Sequence, residues 1–311
     1  MSRQPFELTE ENYYSLDADK HYMSCSQYQS FLRCEAAEIA RQRGIYTPLE
    51  QDALIHGQYF HSALESPEAF RAFCEAHFED IYKTKTTKAR GTEVTGKYAP
   101  YELLDRMLER LRQDPTVQRL LEKPGENEKM MVGEIGGLPW RMKMDKYCAD
   151  RMIIDYKTTA DILEQKWSEE QHSKVSFLEA YGYLMRAAVY SEIERQVTGK
   201  SGYAPFLILA VSKQDPPDLR AILLNDPPRY ALELEKVKER LAHIQRLKDG
   251  AENPRRCGRC VWCRSTYQVH KILHYTDLVP EKWVDNLEFD DYGGADIFTA
   301  VQPGDRVLSS V

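Results

Sequence analysis

The strongest chemical pattern in the chain lies in "MIIDYKTT", where Asp155 and Lys157 follow an apolar Ile153-Ile154 pair. Along a strand, residues two apart share a face, so this carboxylate and ammonium project together, with Tyr156 on the opposite side. An antiparallel strand ending near Asp145 in "WRMKMDKYC" would bring a second carboxylate beside the first. Two carboxylates and a lysine at one strand end suit a hard divalent cation, Mg²⁺ or Mn²⁺, which prefers carboxylate oxygens and retained water. Such an ion acidifies water and can stabilise the attacking and leaving oxygens of a phosphodiester hydrolysis. Lys157 would orient the water or offset charge on phosphorus. An Asp-x-Lys pair taken alone is more often a solvated surface pair. In "HGQYFHSALE", His61 and Glu65 stand at i and i+4 and face the same way on a helix. His61 would add a metal ligand or contact the scissile phosphate, although a histidine in such a helix is also an ordinary structural residue.

A second constellation is made of sulfur. Of seven cysteines, Cys257, Cys260 and Cys263 crowd into "RRCGRCVWCRS", while Cys25, Cys34, Cys74 and Cys148 are scattered. Three soft thiolates at this spacing need a fourth partner to close a tetrahedral zinc site or hold a four-iron cluster. His270 or His274 is the local option and gives zinc. Cys74 and Cys148 read as ordinary buried thiols.

The net charge of −7 in 311 residues argues against a surface coated for indiscriminate nucleic-acid binding, so any DNA contact must be concentrated. "YKTKTTKARG" is the candidate track, with Lys83, Lys85, Lys88 and Arg90 interleaved with hydroxyls suited to phosphate oxygens; a solvated loop is the plain alternative. With 42% hydrophobic and 29% charged residues the composition is globular, and no apolar run is long enough to span a bilayer. The opening "MSRQPFELTEENYY" has no apolar leader core, so a cytoplasmic location is expected.

The elements that must position these residues follow from periodicity. The N-terminal third reads helical, with "SCSQYQSFLRCEAAEIARQRG" closing at Gly44 and "ALIHGQYFHSALESPEAF" running to Pro67. Residues 100–122 predict one or two amphipathic helices. From Met130 the period changes: turn signals at Gly136-Gly137 and Ala149-Asp150 separate short apolar or alternating runs, which predicts a β-meander through Thr159. "VSFLEAYGYLMRAAVYSEI" returns to helix, "PFLILAVS" and "LRAILLND" form a strand pair, and "YALELEKVKERLAHIQRLKDG" is an amphipathic helix ending at Gly250. The order gives a mixed α/β (α+β) class. The acidic residues 274–311 read as a flexible tail.

"HGQYFHSALE", "WRMKMDKYCADRMIIDYKTT" and "YGYLMRAAVY" resemble, in order and role, the motifs of the PD-(D/E)XK nuclease superfamily, most closely the RecE-type exonucleases, also called exodeoxyribonuclease VIII-like, and the related RecB-family domains. The resemblance covers about residues 20–270. It implies a restriction-endonuclease-like core, a central mixed sheet flanked by helices, in a single domain over 1–273. Residues 20–130 would form its helical front, 131–249 the catalytic core and 250–273 the cysteine cluster. It also implies His61, Asp145, Asp155 and Lys157 as the catalytic set, the first three binding Mg²⁺, with Glu65 and Glu134 as weaker candidate ligands and Lys143 at a position where relatives often carry a base.

Relatives follow with a Gln-x-x-x-Tyr helix that touches DNA or positions the lysine; here the tyrosine is Tyr190 and the glutamine is replaced by Arg186. An arginine there could bind phosphate directly. "MSCSQYQSFLRCEA" further resembles the start of iron–sulfur members such as AddB and the CRISPR-adaptation nucleases, which implies Cys34 as the fourth ligand, with a [4Fe–4S] cluster set against zinc. The function implied is Mg²⁺-dependent 5′-to-3′ exonuclease action on linear double-stranded DNA for phage-type recombination. A single-strand-annealing partner and a ring-like homo-oligomer go with it. Two other readings stay open: a zinc-stapled nucleic-acid-binding module without catalysis, and a single-strand-trimming nuclease of the CRISPR-adaptation type.

Overall fold

The computed structural model describes residues 6–48, 52–87, 91–168, 171–269 and 272–275. Its elements, in chain order, begin with α1 (Leu16–His21), α2 (Cys25–Arg33), α3 (Glu35–Gln42), α4 (Asp52–Glu65), α5 (Pro67–Ala76) and α6 (Phe78–Ile81). A ribbon of β1 (Tyr82–Thr87) and β2 (Gly91–Lys97) comes next, then α7 (Ala99–Gln113) and α8 (Pro115–Leu121). The middle holds β3 (Gly125–Ile135), β4 (Leu138–Cys148), β5 (Ile153–Thr159), β6 (Lys166–Ser168), β7 (Ser173–Val175), α9 (Phe177–Ala180) and α10 (Tyr183–Thr198). β8 (Phe206–Ser212), β9 (Leu219–Leu224), α11 (Pro227–Lys248) and α12 (Val261–Ser265) complete the chain. Two compact units can be distinguished, one from the described parts of 1–21, 26–48 and 242–311, the other from those of 22–25 and 49–241.

The larger unit is built on a five-stranded mixed sheet in the order β3-β4-β5-β8-β9, in which only the β5–β8 neighbours are parallel. The expected meander is its first half. Gly136 and Gly137 both have positive φ, +58° and +78°, as a two-residue type I′ hairpin turn requires, and a Cβ on Gly136 would sit 2.8 Å from Leu241 Cδ1. β8 is buried along its whole length, as a central strand covered on both faces must be. On one face, Ile154, Tyr156, Leu207, Leu209 and Val211 pack with Tyr59 and Phe60 of α4 and Leu104, Leu108 and Leu111 of α7. The alternate residues, Asp155 and Lys157 among them, face α10, whose Tyr190 ring meets Phe206 at 6.0 Å.

α10 is fixed by polar contacts. Arg151, in the β4–β5 turn, grips the fully buried Glu194 carboxylate at 2.8 and 2.6 Å, and Tyr147 Oη donates to the same group at 2.8 Å. Ser191 Oγ donates to the Ala204 carbonyl.

Two departures from the sequence expectation matter for the site. Residues 82–87 of the basic stretch form a strand that pairs antiparallel with 91–97, while Lys88 and Arg90 lie outside the described residues. The ribbon's root is pinned by Lys97, whose ammonium donates to Tyr59 Oη at 2.8 Å and to Asp105 at 2.6 Å. The sheet also begins earlier than expected, at Gly125, so residues assigned to a helical front belong to β3. Most of the acidic tail lies outside the described residues.

Candidate active site and cysteine cage

The β4–β5 ladder pairs Tyr147 with Ile153 and Lys146 with Ile154 and then stops. Continued by one step it would place Asp145 opposite Asp155. Instead the strands part, and Asp145 Oδ2 accepts the Tyr156 backbone N–H at 2.7 Å, filling the ladder bond that the split leaves unmade. This split brings both aspartates and Lys157 together. Lys157 Nζ lies 2.7 Å from Asp155 Oδ2 and 3.8 Å from Asp145 Oδ2. From α4, His61 Nδ1 reaches to 3.4 Å from the same Asp145 oxygen.

The fifth participant is Glu128, which sequence reasoning passed over. It stands on β3 at φ +52°, a left-handed conformation rare for a glutamate in a strand, and forms an ion pair with Lys143 at 2.8 Å. His61, Glu128 and Asp145 each offer one ligand atom, all within 4.8 Å of one another. A cation with bonds of about 2.1 Å holds trans ligands about 4.2 Å apart, so one nitrogen and two carboxylate oxygens here fit a hard divalent ion with side-chain adjustment. A signal for Glu128 did exist. The β3–β4 register pairs residues whose numbers sum to 273, fixed by the two-glycine turn, and although the ladder skips that step, the same sum sets 128 opposite 145.

The electrostatics follow from burial and from these neighbours. Burial alone would raise the Asp145 carboxyl, but His61, Lys157 and the Tyr156 N–H outweigh it and hold the group well below the usual carboxylate range. Burial raises Glu128, helped by the Asp145 charge and opposed by Lys143. Lys157 is pushed down by burial and more than restored by Asp155 and Asp145, so it stays charged.

The other expected residues divide. Glu65 lies one turn from His61, and its carbonyl accepts from Asn127, next to Glu128; its side chain is outside the three-ligand group. Glu134 is exposed at the far end of β3, its backbone held by Gln196, and is not brought to the site. Tyr190 is buried and donates to the Lys143 carbonyl at 3.2 Å, tying α10 to β4. Arg186 stands 3.5 Å from Asp155 Oδ1, with the Tyr183 and Tyr190 rings each 5.9 Å from its guanidinium. Lys83 and Lys85 are exposed on the ribbon.

In the other unit, Cys34, Cys257, Cys260 and Cys263 gather with their sulfurs within 4.8 Å of one another. His270 lies outside the described residues, and His274 is not a member of the group. Cys34 Sγ is 3.5 Å and Cys257 Sγ 3.9 Å from Cys263 Sγ. Zn–S bonds of about 2.3 Å in a tetrahedron set sulfurs about 3.8 Å apart, so the cage fits a single tetrahedral ion. Four irons enclosed by the same thiolates would spread them further. Although burial works against it, Cys257 is brought down to about 7 by the Arg259 and Cys260 N–H groups, which favours the thiolate a metal needs. Behind the cage, His243 bridges Glu35 and Glu252, and Glu35 accepts the Arg255 N–H at 2.8 Å, fastening the segment that leads into Cys257.

Comparison with known proteins agrees with this fold. Residues 24–266 match a family described as a PDDEXK-like domain of unknown function, DUF3799. A solved candidate exonuclease from Eubacterium rectale is 30% identical, with a TM-score of 0.77, covering 88% of this chain and 98% of its own. A second solved protein, SSO0001, is 12% identical over 76% of this chain and 92% of its own; its TM-score of 0.30 carries no argument. No curated protein matches the sequence.

Proposed function

Because this chain belongs to the PDDEXK-like family DUF3799, we propose that it is a divalent-metal-dependent nuclease that degrades linear double-stranded DNA from its ends. The observation that carries the reading is the convergence of His61, Glu128, Asp145, Asp155 and Lys157 where β4 and β5 part. A bound Mg²⁺ or Mn²⁺ would polarise a phosphoryl oxygen and make water more acidic at neutral pH. The chain's own residues supply the rest. Asp145 is kept ionised by His61, Lys157 and the Tyr156 N–H, so it is a ready carboxylate ligand. Lys157, oriented by Asp155 on the same strand face, presents a fixed positive charge to the pentacovalent phosphorus and a donor to the attacking water. Attack of water oxygen on phosphorus breaks the bond to the leaving sugar oxygen, which takes up a proton.

The name of the Eubacterium rectale protein favours the exonuclease form. The sequence resemblance favours 5′-to-3′ polarity, a recombination role with a single-strand-annealing partner, and a ring. For the cysteine cage the sulfur spacing favours zinc over [4Fe–4S]. The test is digestion of end-labelled linear duplex beside a closed circle, in Mg²⁺ and in EDTA. Loss of the linear DNA alone, in Mg²⁺ alone and not with Asp155→Asn, is expected. Survival of both DNAs while a gel shift persists would leave a binding module, and cleavage of the circle would make the enzyme an endonuclease.

A further inference from the structure

The segment between β5 and α10 takes no part in the proposed chemistry, yet it crowds large apolar side chains onto the surface. Leu163, Trp167 and Tyr181 are 70%, 57% and 48% exposed. The mount beneath them is firm. Ile162, Val175 and Phe177 are buried, and a capping box between Ser176 and Glu179 closes the first turn of α9. Gly182, at φ +68°, then turns the chain into α10, with Tyr181 and Tyr183 on either side of the bend.

From the active site outward, rings and ammonium groups form one line. Lys157 Nζ lies 5.9 Å from the centre of the Tyr183 ring, the Tyr183 and Tyr181 rings stand 6.3 Å apart at 71°, and Lys166 Nζ lies 5.7 Å from the centre of the Tyr181 ring. Tyr183 is partly buried and Tyr181 exposed, so a single ring separates the catalytic lysine from the surface tyrosine. On the other face of the β6–β7 hairpin the pairing recurs, with exposed Trp167 directly opposite exposed Lys174. Lys166 is also 2.8 Å from Glu164, but an ion pair this exposed contributes little and gives way to a phosphate. The centres of protein interfaces are depleted of lysine, whereas here Trp167 and Tyr181 each stand beside one. A ring offered to solvent next to an ammonium suits a nucleotide, whose base stacks while its phosphate takes the charge. In a duplex the faces of each base are covered by its neighbours, so the base that lies on Tyr181 must be unpaired.

We propose that Tyr181, flanked by Lys166 and backed by Tyr183, is a base-stacking platform for unpaired nucleotides of the strand being cut, so that DNA enters the site as an opened end. The inference rests on the nuclease reading above and deepens it by naming the form of DNA that the site takes. Tyr181 is thus a specificity-determining residue, in contact with a base and not with the reacting phosphate.

The experiment is fluorescence anisotropy of the full chain with two labelled single strands of about ten nucleotides, one of thymidines and one of abasic sites with the same phosphates, without added Mg²⁺ so that both stay whole. The unaltered protein should bind the thymidine strand about five-fold or more tightly than the abasic one. Tyr181→Ala should abolish that preference while leaving the abasic strand's affinity unchanged, and Tyr181→Phe, which keeps the ring, should restore it. Circular dichroism of both variants separates unfolding from a change at the platform. Equal affinity for the two strands in the unaltered protein, or a preference in Tyr181→Ala as large as in Tyr181→Phe, would overturn the proposal and leave the exposed rings to a protein partner. Cleavage of linear duplex in Mg²⁺ without this preference would strike the platform alone; the preference without cleavage would strike only the nuclease reading.

Discussion

At the residue scale the site is an exercise in keeping carboxylates charged where burial opposes charge. Asp145 succeeds because a histidine, a lysine and a backbone N–H converge on it; Glu128, helped only by Lys143 and pressed by Asp145, is raised above its ordinary value. A metal takes the ionised form, so it competes with the proton on Glu128. Metal affinity should therefore climb as pH rises through the range above the usual glutamate value of about 4.3, and Glu128→Gln should flatten that climb as well as weaken binding. A Mn²⁺ titration repeated from pH 5 to pH 8 checks both, and equal slopes for the two proteins would remove Glu128 from the ligand set. Glu128 was within reach of the sequence, because a two-glycine turn fixes the register and the register names the residue opposite Asp145. What the alternation of apolar residues could not reveal was its positive φ, at the step where the β3–β4 ladder is interrupted.

At the element scale, the division of labour is between elements that hold the site and one that stands away from it. α4, α10 and the meander are locked by Tyr59–Asp105–Lys97, by Arg151–Glu194–Tyr147 and by Tyr190–Lys143. The β1–β2 ribbon has residues of both faces exposed, with Thr84, Thr86, Thr92 and Val94 on one side and Lys83 and Lys85 on the other. A two-stranded ribbon is narrow enough for the major groove, and its lysines suit phosphate. Replacing Lys83 and Lys85 by alanine should weaken duplex binding and lower the slope of log affinity against log salt by up to about 1.8, two contacts' worth. Fluorescence anisotropy over a salt series measures it; an unchanged slope would make the ribbon a bystander. Sequence reading saw the lysines and hydroxyls but not the ribbon, because a strand pair without a buried face leaves no hydrophobic alternation to read.

At the scale of the whole molecule, two units each gather residues that are remote in sequence. Cys34 and Cys263 are 229 positions apart and their sulfurs 3.5 Å apart, so an ion there would close a very long loop, and loss of one ligand should be felt globally. Cys34→Ser should remove one equivalent of zinc and lower the melting temperature by several degrees, whereas Cys74→Ser, outside the cage, should do neither; elemental analysis and calorimetry decide it. Retention of zinc in Cys34→Ser would assign the fourth ligand elsewhere, and iron in the intact protein would favour the cluster.

The sequence by itself determined the mixed α/β class, the meander and the shared face of Asp155 and Lys157, because strand period and turn chemistry are local. Only the tertiary structure decided that β4 and β5 part at Asp145, that Arg186 turns to Asp155 and Tyr190 to the backbone of Lys143, and that Glu134 stays outside. Those outcomes depend on how a helix packs across a sheet and on which buried charges must find partners, and neither is written in the spacing of residues along one strand.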